Sequence, residues 1–409
     1  MAEVVRAHSA EADTAAALAE IESQLAGTDP AALVFFCSAN HDGVRIERAL
    51  KAKAPNAEVI GCTTGGEFTD TAYTQGGVAV VVLSKAKVKR CAATLADYSS
   101  TGVEAAVHQA AGVMAQKLGV KLRDIDPEHW VGLVLNEGLK GHEEEVNAVL
   151  GHVAPFLSFL GGSAGDNFKL QETRVFHDGR ESNDGSVFLL LELSVPYTIV
   201  KTCSLEPTDT KMRIDRTEGR VVYEIDGKPA VAAYAEKVGV KPEDLGHMVF
   251  MSNPLGVIVD GEPWVRSPIM VTPDGGLMFG CQIIEGSELS LLRATDLVSD
   301  TQRALDQASE KLGTTPSVGI LFNCAHRCME IQAKQLEEPF RKAIAGFPVA
   351  GFHSYGESYL AHMNQTLIGL LYMDGNSILS DKGKSFSPIP EVTQGKAMSL
   401  SRFAAYAGR

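Results

Sequence analysis

An α/β fold of the mixed α+β kind is predicted for this chain of 409 residues, on three observations. A helix–strand–helix–strand plan recurs three times. Each pass ends in a Gly-rich polar loop, and residues 174–295 read instead as β-rich hairpins. Together they predict two sheet-and-helix domains with internally repeated units and hairpins between them.

Taken in order, residues 1–30 are expected to hold an Ala-rich amphipathic helix ending near Gly27, with Pro30 beyond it. Gly just past a helical run supplies a left-handed cap, and a nearby Pro forbids continuation. The run "ALVFFCS" then reads as a strand, residues 43–53 as a helix, and "EVIGCTTGGEF" as a strand and loop. The second pass is a helix ending near Gly119, Pro127, "WVGLVLNEG", a helix over 141–153 and "SFLGGSAGDNF". The third is a helix ending near Gly313, Pro316, "SVGILFNCA", a helix over 330–345 and "PVAGFHSYGES". Short, wholly apolar runs mark strands covered on both faces, and polar loops at their ends are where such folds place ligands. Between the second and third passes, Asp-Gly pairs mark hairpin turns. The polar stretch "EPTDTKMRIDRTEGR" is expected to separate a first domain, 31–215, from a second, 216–373, followed by a tail over 374–409.

Composition narrows the function. A formal charge of −14 sets most of the surface against phosphates, so no nucleic-acid partner is expected. No apolar run reaches the length of a membrane span, because Glu192 interrupts "SVFLLLELSV". The start lacks a basic segment followed by an apolar block, which predicts a cytoplasmic protein. Seven scattered cysteines suit a reducing compartment.

Several constellations carry possible chemistry. Cys324, His326 and Cys328 alternate, so on a strand they would share a face, but that spacing is unlike the paired ligands of zinc sites. A Cys324–His326 nucleophile lacks any identifiable orienting acid, and no enzyme is expected. The acids of "GLKGHEEEV" complement a helix dipole, leaving His142 at the surface; His177 reads as a turn residue. In "VAGFHSYGESYLAHMNQT" a buried strand gives way to His353, Tyr355, Glu357, His362 and Asn364. There His362 reads either as a loop residue bonded to backbone or as a cofactor ligand at the mouth of a strand.

The set "VIGCTTGGEF", "LGGSAGDNF…TRVFHDG", "VYEIDGKPAVAAYAE", "FNCAHR" and "VAGFHSYGES…HMNQT" resembles, in order over about residues 31–373, the FIST family, with 31–215 as its N domain and 216–373 as its C domain. The resemblance implies a sensory, ligand-binding protein of signal transduction. Stand-alone FIST proteins include nitric-oxide-sensing haemoproteins of the NosP type that act through a histidine kinase. Resemblance to these implies haem b, with His362 on the iron and His353 as a rival. Tyr355, Glu357, Asn364 and Arg327 would lie around the cofactor, with Arg266, Arg327 and Lys169 as cations for the propionates. The implied partners are a diatomic gas and a histidine kinase, with a homodimer as one assembly. The alternative is a small polar metabolite such as an amino acid, held without haem by Thr63, Thr64, Glu67, Ser163 and Asp166.

Overall fold

The computed structural model describes residues 5–373; the tail expected over 374–409 lies outside the described residues. Mixed α/β architecture is observed, in four sheets. Three of these share one plan: an edge strand, an antiparallel strand, a parallel pair, and a short hairpin. The first runs Arg6–Ser9, Val78–Ser84, Pro30–Ser38, Glu58–Thr64, Val175–His177, Arg180–Ser182. The second runs Val88–Asp97, Gly185–Leu193, Trp130–Asn136, Phe159–Ser163, Glu357–Tyr359, Ala361–Met363. The third runs Tyr197–Cys203, Thr366–Tyr372, Val318–Cys324, Val349–Ser354, Glu67–Thr69, Tyr73–Thr74.

The hairpins do not stay with the units that precede them in the chain. The one at 67–74 leaves the first unit and pairs with Val349–Ser354 of the third. The hairpin at 175–182 leaves the second unit for the first, pairing with Glu58–Thr64. The hairpin at 357–363 leaves the third for the second, pairing with Phe159–Ser163. After each hairpin the chain returns to its own sheet, so the three units are linked in a closed cycle.

The burial follows from this arrangement. One face of each sheet contributes to a shared core, with Val34 and Phe36 from the first, Leu133 and Leu189 from the second, and Ile320 and Phe352 from the third. Phe36 lies 4.8 Å from Phe352 and 6.3 Å from Phe322 between ring centroids, within the range of attractive aromatic pairs. Helices cover the outer faces: Thr14–Gln24 and Gly43–Lys53, Val103–Leu118 and Glu143–Val153, and Leu297–Leu312 with Glu337–Ile344. Both faces being covered is why Pro30–Ser38, Trp130–Asn136 and Val318–Cys324 are buried along their whole length. Gly119 and Gly313 cap their helices with φ of 64° and 71°, as their positions predicted.

Several expectations are corrected. The helix of the first 30 residues spans only Thr14–Gln24, and Arg6–Ser9 before it is a strand paired with Val78–Ser84. The stretch read as a separator is the continuous strand Leu205–Glu218, held by Glu288–Ala294 and Val221–Ile225. Its polar residues are tolerated because alternate side chains face solvent. That strand belongs to the fourth sheet, formed wholly within 205–294, which is inserted between the edge strand and first helix of the third unit. Residues 175–193, grouped with it by their turns, belong to the first two sheets. Two helices, Ala325–Ala333 and Glu337–Ile344, replace the single helix over 330–345. Cys324 therefore ends a strand while His326 and Cys328 ride on a helix, so they do not share a strand face. His177 is the buried last residue of a strand, its Nδ1 donating to the Val59 carbonyl over 2.9 Å.

Candidate functional site

The three polar loops, expected to be equivalent, meet backbone to backbone. Gly65 N donates to His353 O at 2.9 Å and His353 N to Gly66 O at 2.8 Å, joining the first and third loops. Ser163 N to Gly356 O at 2.8 Å and Tyr355 N to Ser163 O at 3.0 Å join the third and second. Gly165 N to Thr63 O at 3.0 Å and Asn167 N to Thr64 O at 3.0 Å close the cycle. Because each hairpin crosses to a neighbouring sheet, its preceding loop must pass through this junction.

Two glutamates occupy matching seats there. Glu67 Oε1 accepts from the Thr64 hydroxyl three residues earlier, and its Oε2 accepts from Gly77 N at 3.0 Å. Glu357 Oε1 accepts from Ser354 Oγ, also three residues earlier, at 2.7 Å; its Oε2 accepts from Thr366 N at 3.2 Å and Thr366 Oγ1 at 2.7 Å. Both side chains are fully buried. Burial raises each carboxyl to about 7, although the hydrogen bonds favour the ionised form. Neither has an ion-pair partner among the described residues.

Ser163 and Asp166 play other parts. Ser163 Oγ donates to Glu143 Oε1 at 2.8 Å. Asp166 organises its own loop, accepting from Leu170 N at 2.9 Å, Gln171 N at 2.6 Å and Glu172 N at 3.1 Å, and from Tyr355 Oη at 2.5 Å. Those donors outweigh the effect of burial and hold its carboxyl below the usual range. Thr63 Oγ1 accepts from Arg174 N at 3.0 Å. Thr63, Asp166 and Tyr355 thus hold the junction together.

His353 is fully buried, its ring centroid 5.2 Å from that of Phe68 and 5.1 Å from that of Tyr73. Its protonation is set by a chain of contacts. Arg327 Nε donates to Asn323 Oδ1 at 2.8 Å, which turns the Asn323 amide nitrogen toward His353 Nδ1 at 3.0 Å. Nδ1 is then the acceptor, so the proton sits on Nε2, which is buried without a hydrogen-bond partner. Burial, with Arg327 second, depresses this imidazole to about 3. Arg327 itself is buried and meets neutral groups, Ser204 Oγ at 2.8 Å and Thr301 Oγ1 at 2.7 Å besides Asn323.

His362 lies elsewhere, where the 357–363 hairpin meets the inserted sheet. Its Nε2 donates to the Gly280 carbonyl at 3.1 Å, and Nδ1 is buried without a hydrogen-bond partner. Since a carbonyl can only accept, the proton is on Nε2 and Nδ1 presents a lone pair. Gly356 is required beside it: a Cβ there would come within 2.2 Å of His362 Cε1. Glu143, also buried, faces this corner and is bound by Arg220 Nη2 at 2.7 Å, which also holds Glu144 at 2.6 Å. Against the cost of burial, His362, when protonated, and Arg220 at every pH hold Glu143 below the usual carboxylate range. Burial in turn lowers His362. At neutral pH the ring is therefore uncharged, and Arg220 is the cation that balances the carboxylate.

The expected residues thus divide into two neighbouring sets. Thr63, Thr64, Glu67, Ser163, Asp166, His353, Tyr355 and Glu357 belong to the loop junction, with Arg327 behind His353. His362 and Asn364 face the insertion, where Asn364 Oδ1 accepts from Cys281 Sγ at 3.0 Å. Of the three suggested cations, only Arg266 contacts the His362 residue, through its carbonyl at 3.4 Å. Lys169 is exposed and bound to Asn40. Burial and then the Glu357 carboxyl push the Cys324 thiol well up, which disfavours a thiolate there. His142 is half-buried, its Nε2 3.3 Å from Asp184 Oδ1. Glu143 and Arg220 were not singled out from the sequence. Three adjacent acids in a first helical turn have a sufficient local explanation, and only the fold reveals that one of them is buried.

Comparison with known proteins finds two domain models in succession along the chain. Residues 31–228 match the FIST N domain and residues 230–359 the FIST C domain. An uncharacterized protein of Methanocaldococcus jannaschii is 24% identical over 322 residues, covering 74% of this chain; the match spans only 61% of that relative's length. Among the described residues no helix is long and apolar enough to cross a membrane. With both domains matched in order, the chain belongs to the FIST family, whose domains are sensory modules of signal transduction.

Proposed function

We propose that this protein is a ligand sensor whose input group is haem b, ligated through Nδ1 of His362, with nitric oxide as the gas and a histidine kinase as the partner that reads the change. The observation that carries the reading is the state of His362. With Nε2–H committed to the Gly280 carbonyl, Nδ1 is a buried, unpartnered lone pair, the arrangement typical of metal-bound imidazoles. Haem would supply an iron able to bind a diatomic gas. His353 suits that role less, because its Nδ1 already accepts from Asn323 and its Nε2 carries the proton. Arg266 is the nearest of the expected cations for a propionate.

His362 is 2% exposed, so haem entry requires the 357–363 hairpin and the Gly280 segment to part. That requirement supports a sensory role, since any group at Nδ1 then biases the seam between the inserted sheet and the second unit. Purified protein titrated with haemin is expected to give a saturable one-to-one Soret band that shifts with nitric oxide. The band should survive His353→Ala and be lost or altered in His362→Ala. A titration without saturation, or one unchanged in His362→Ala, would overturn the haem reading. The second reading, a small ammonium-bearing metabolite, is favoured by the two buried carboxyls of Glu67 and Glu357. Amino acids would then raise the melting temperature of wild type and not of Glu67→Gln.

A further inference from the structure

We propose that His247, His326 and Met329 form a binding site for a soft metal ion of low charge, the cuprous ion being the class that fits. The site lies apart from the loop junction and from His362. His247 begins the short helix His247–Ser252 of the insertion, whereas His326 and Met329 lie one turn apart on Ala325–Ala333 of the third unit.

Three observations single out these side chains. His247 Nε2 is 2.7 Å from Met329 Sδ. The His247 and His326 ring centroids are 5.2 Å apart, with the rings inclined at 56°. Neither ring nitrogen of His326 has a hydrogen-bond partner among the described residues, and its Nδ1 is buried. An imidazole with no hydrogen-bond partner, packed against a second imidazole that itself touches a thioether, has a ring nitrogen free to act as a third ligand.

The chemistry of the set selects the metal. Two imidazoles and a thioether, with no carboxylate among them, suit a soft monovalent ion far better than calcium, magnesium or zinc. A metal here would hold the Ala325–Ala333 helix of the third unit to the insertion. Its bonds require the Nε2–Sδ contact to open, so loading would shift the His247–Ser252 helix. Occupancy would thereby set how freely the insertion moves against the rest of the chain.

The test is anaerobic competition for copper(I) between the full chain and the chromophoric chelator bicinchoninate, with ascorbate present. Wild type is expected to withdraw one copper(I) per chain. Met329→Leu and His247→Ala should each weaken binding by at least about tenfold, the lower limit for losing even an outer partner of a metal site. Cys328→Ser, which leaves all three ligands in place, should bind like wild type. Because His247 is exposed, its variant should fold normally and a loss of copper there reports on the ligand. Hydrogen exchange over residues 247–252 should slow when copper is bound. The proposal is overturned if no copper is withdrawn, if Met329→Leu and His247→Ala bind like wild type, or if only Cys328→Ser loses binding.

Discussion

Glu357→Gln is expected to stabilise this protein by about 2–3 kcal/mol more at pH 8 than at pH 5, and Glu67→Gln to do the same. Each carboxyl sits at about 7 in the fold against an ordinary value of 4.5. Below 4.5 the folded and unfolded chains are both protonated, and the fold has the full benefit of the neutral acids. As pH rises toward 7 the unfolded chain ionises while the fold keeps its proton, so stability falls. Beyond 7 both ionise and the loss levels off. Glutamine mimics the neutral acid, still accepting from backbone N–H on one side and donating to Thr64 or Ser354 on the other. Other groups act elsewhere on the scale: Glu143, held well below its ordinary 4.5, contributes stability that is lost as pH falls below about 4.5. His353, depressed to about 3, costs stability as pH falls below its unfolded value near 6.5. Comparing each variant with wild type at both pH values by urea denaturation isolates the glutamate. A difference independent of pH would mean that the carboxyl ionises normally.

Gly161→Ala is expected to cost about 3 kcal/mol or more, the upper range for forcing atoms into a packed interior. A Cβ at 161 would lie 1.7 Å from the Val134 carbonyl oxygen and 2.7 Å from its carbon. Both atoms are backbone in the partner strand of a parallel pair, so no side-chain rotation relieves the overlap. The strands must separate, and Gly161 also opposes Ser358 of the hairpin that arrives from the third unit. Gly351 repeats the arrangement, with its Cβ 2.1 Å from the Leu321 oxygen, and Gly61 meets the Phe35 ring at 2.3 Å. Gly119→Ala is the contrast. That helix cap has φ of 64° but nothing within 4 Å of its Cβ, so only about 1 kcal/mol of stability is lost, to backbone strain. Equal destabilisation by the two variants in urea would show that packing at the paired strands is not what requires Gly161.

Much of the local structure was legible because its causes are local. Gly119 and Gly313 end helices, the Asp178-Gly179 and Asp226-Gly227 pairs turn with positive φ at both residues, and apolar runs became strands buried on both faces. The Gly-rich loops were legible as a set because the same pattern occurs three times. Their interlocking was not, since the hairpin at 67–74 gives no sign in its own residues that it will pair with Val349–Ser354. Strand pairing uses backbone groups common to every residue, so the partner is chosen by packing over the whole chain. The same limit hid the insertion within the third unit and the burial of Glu143 beside Arg220. His353 and His362 looked like rival ligands in sequence, two histidines in one polar stretch. Which nitrogen carries the proton depends on Asn323 in one case and Gly280 in the other, and only the tertiary structure brings those acceptors and donors to them.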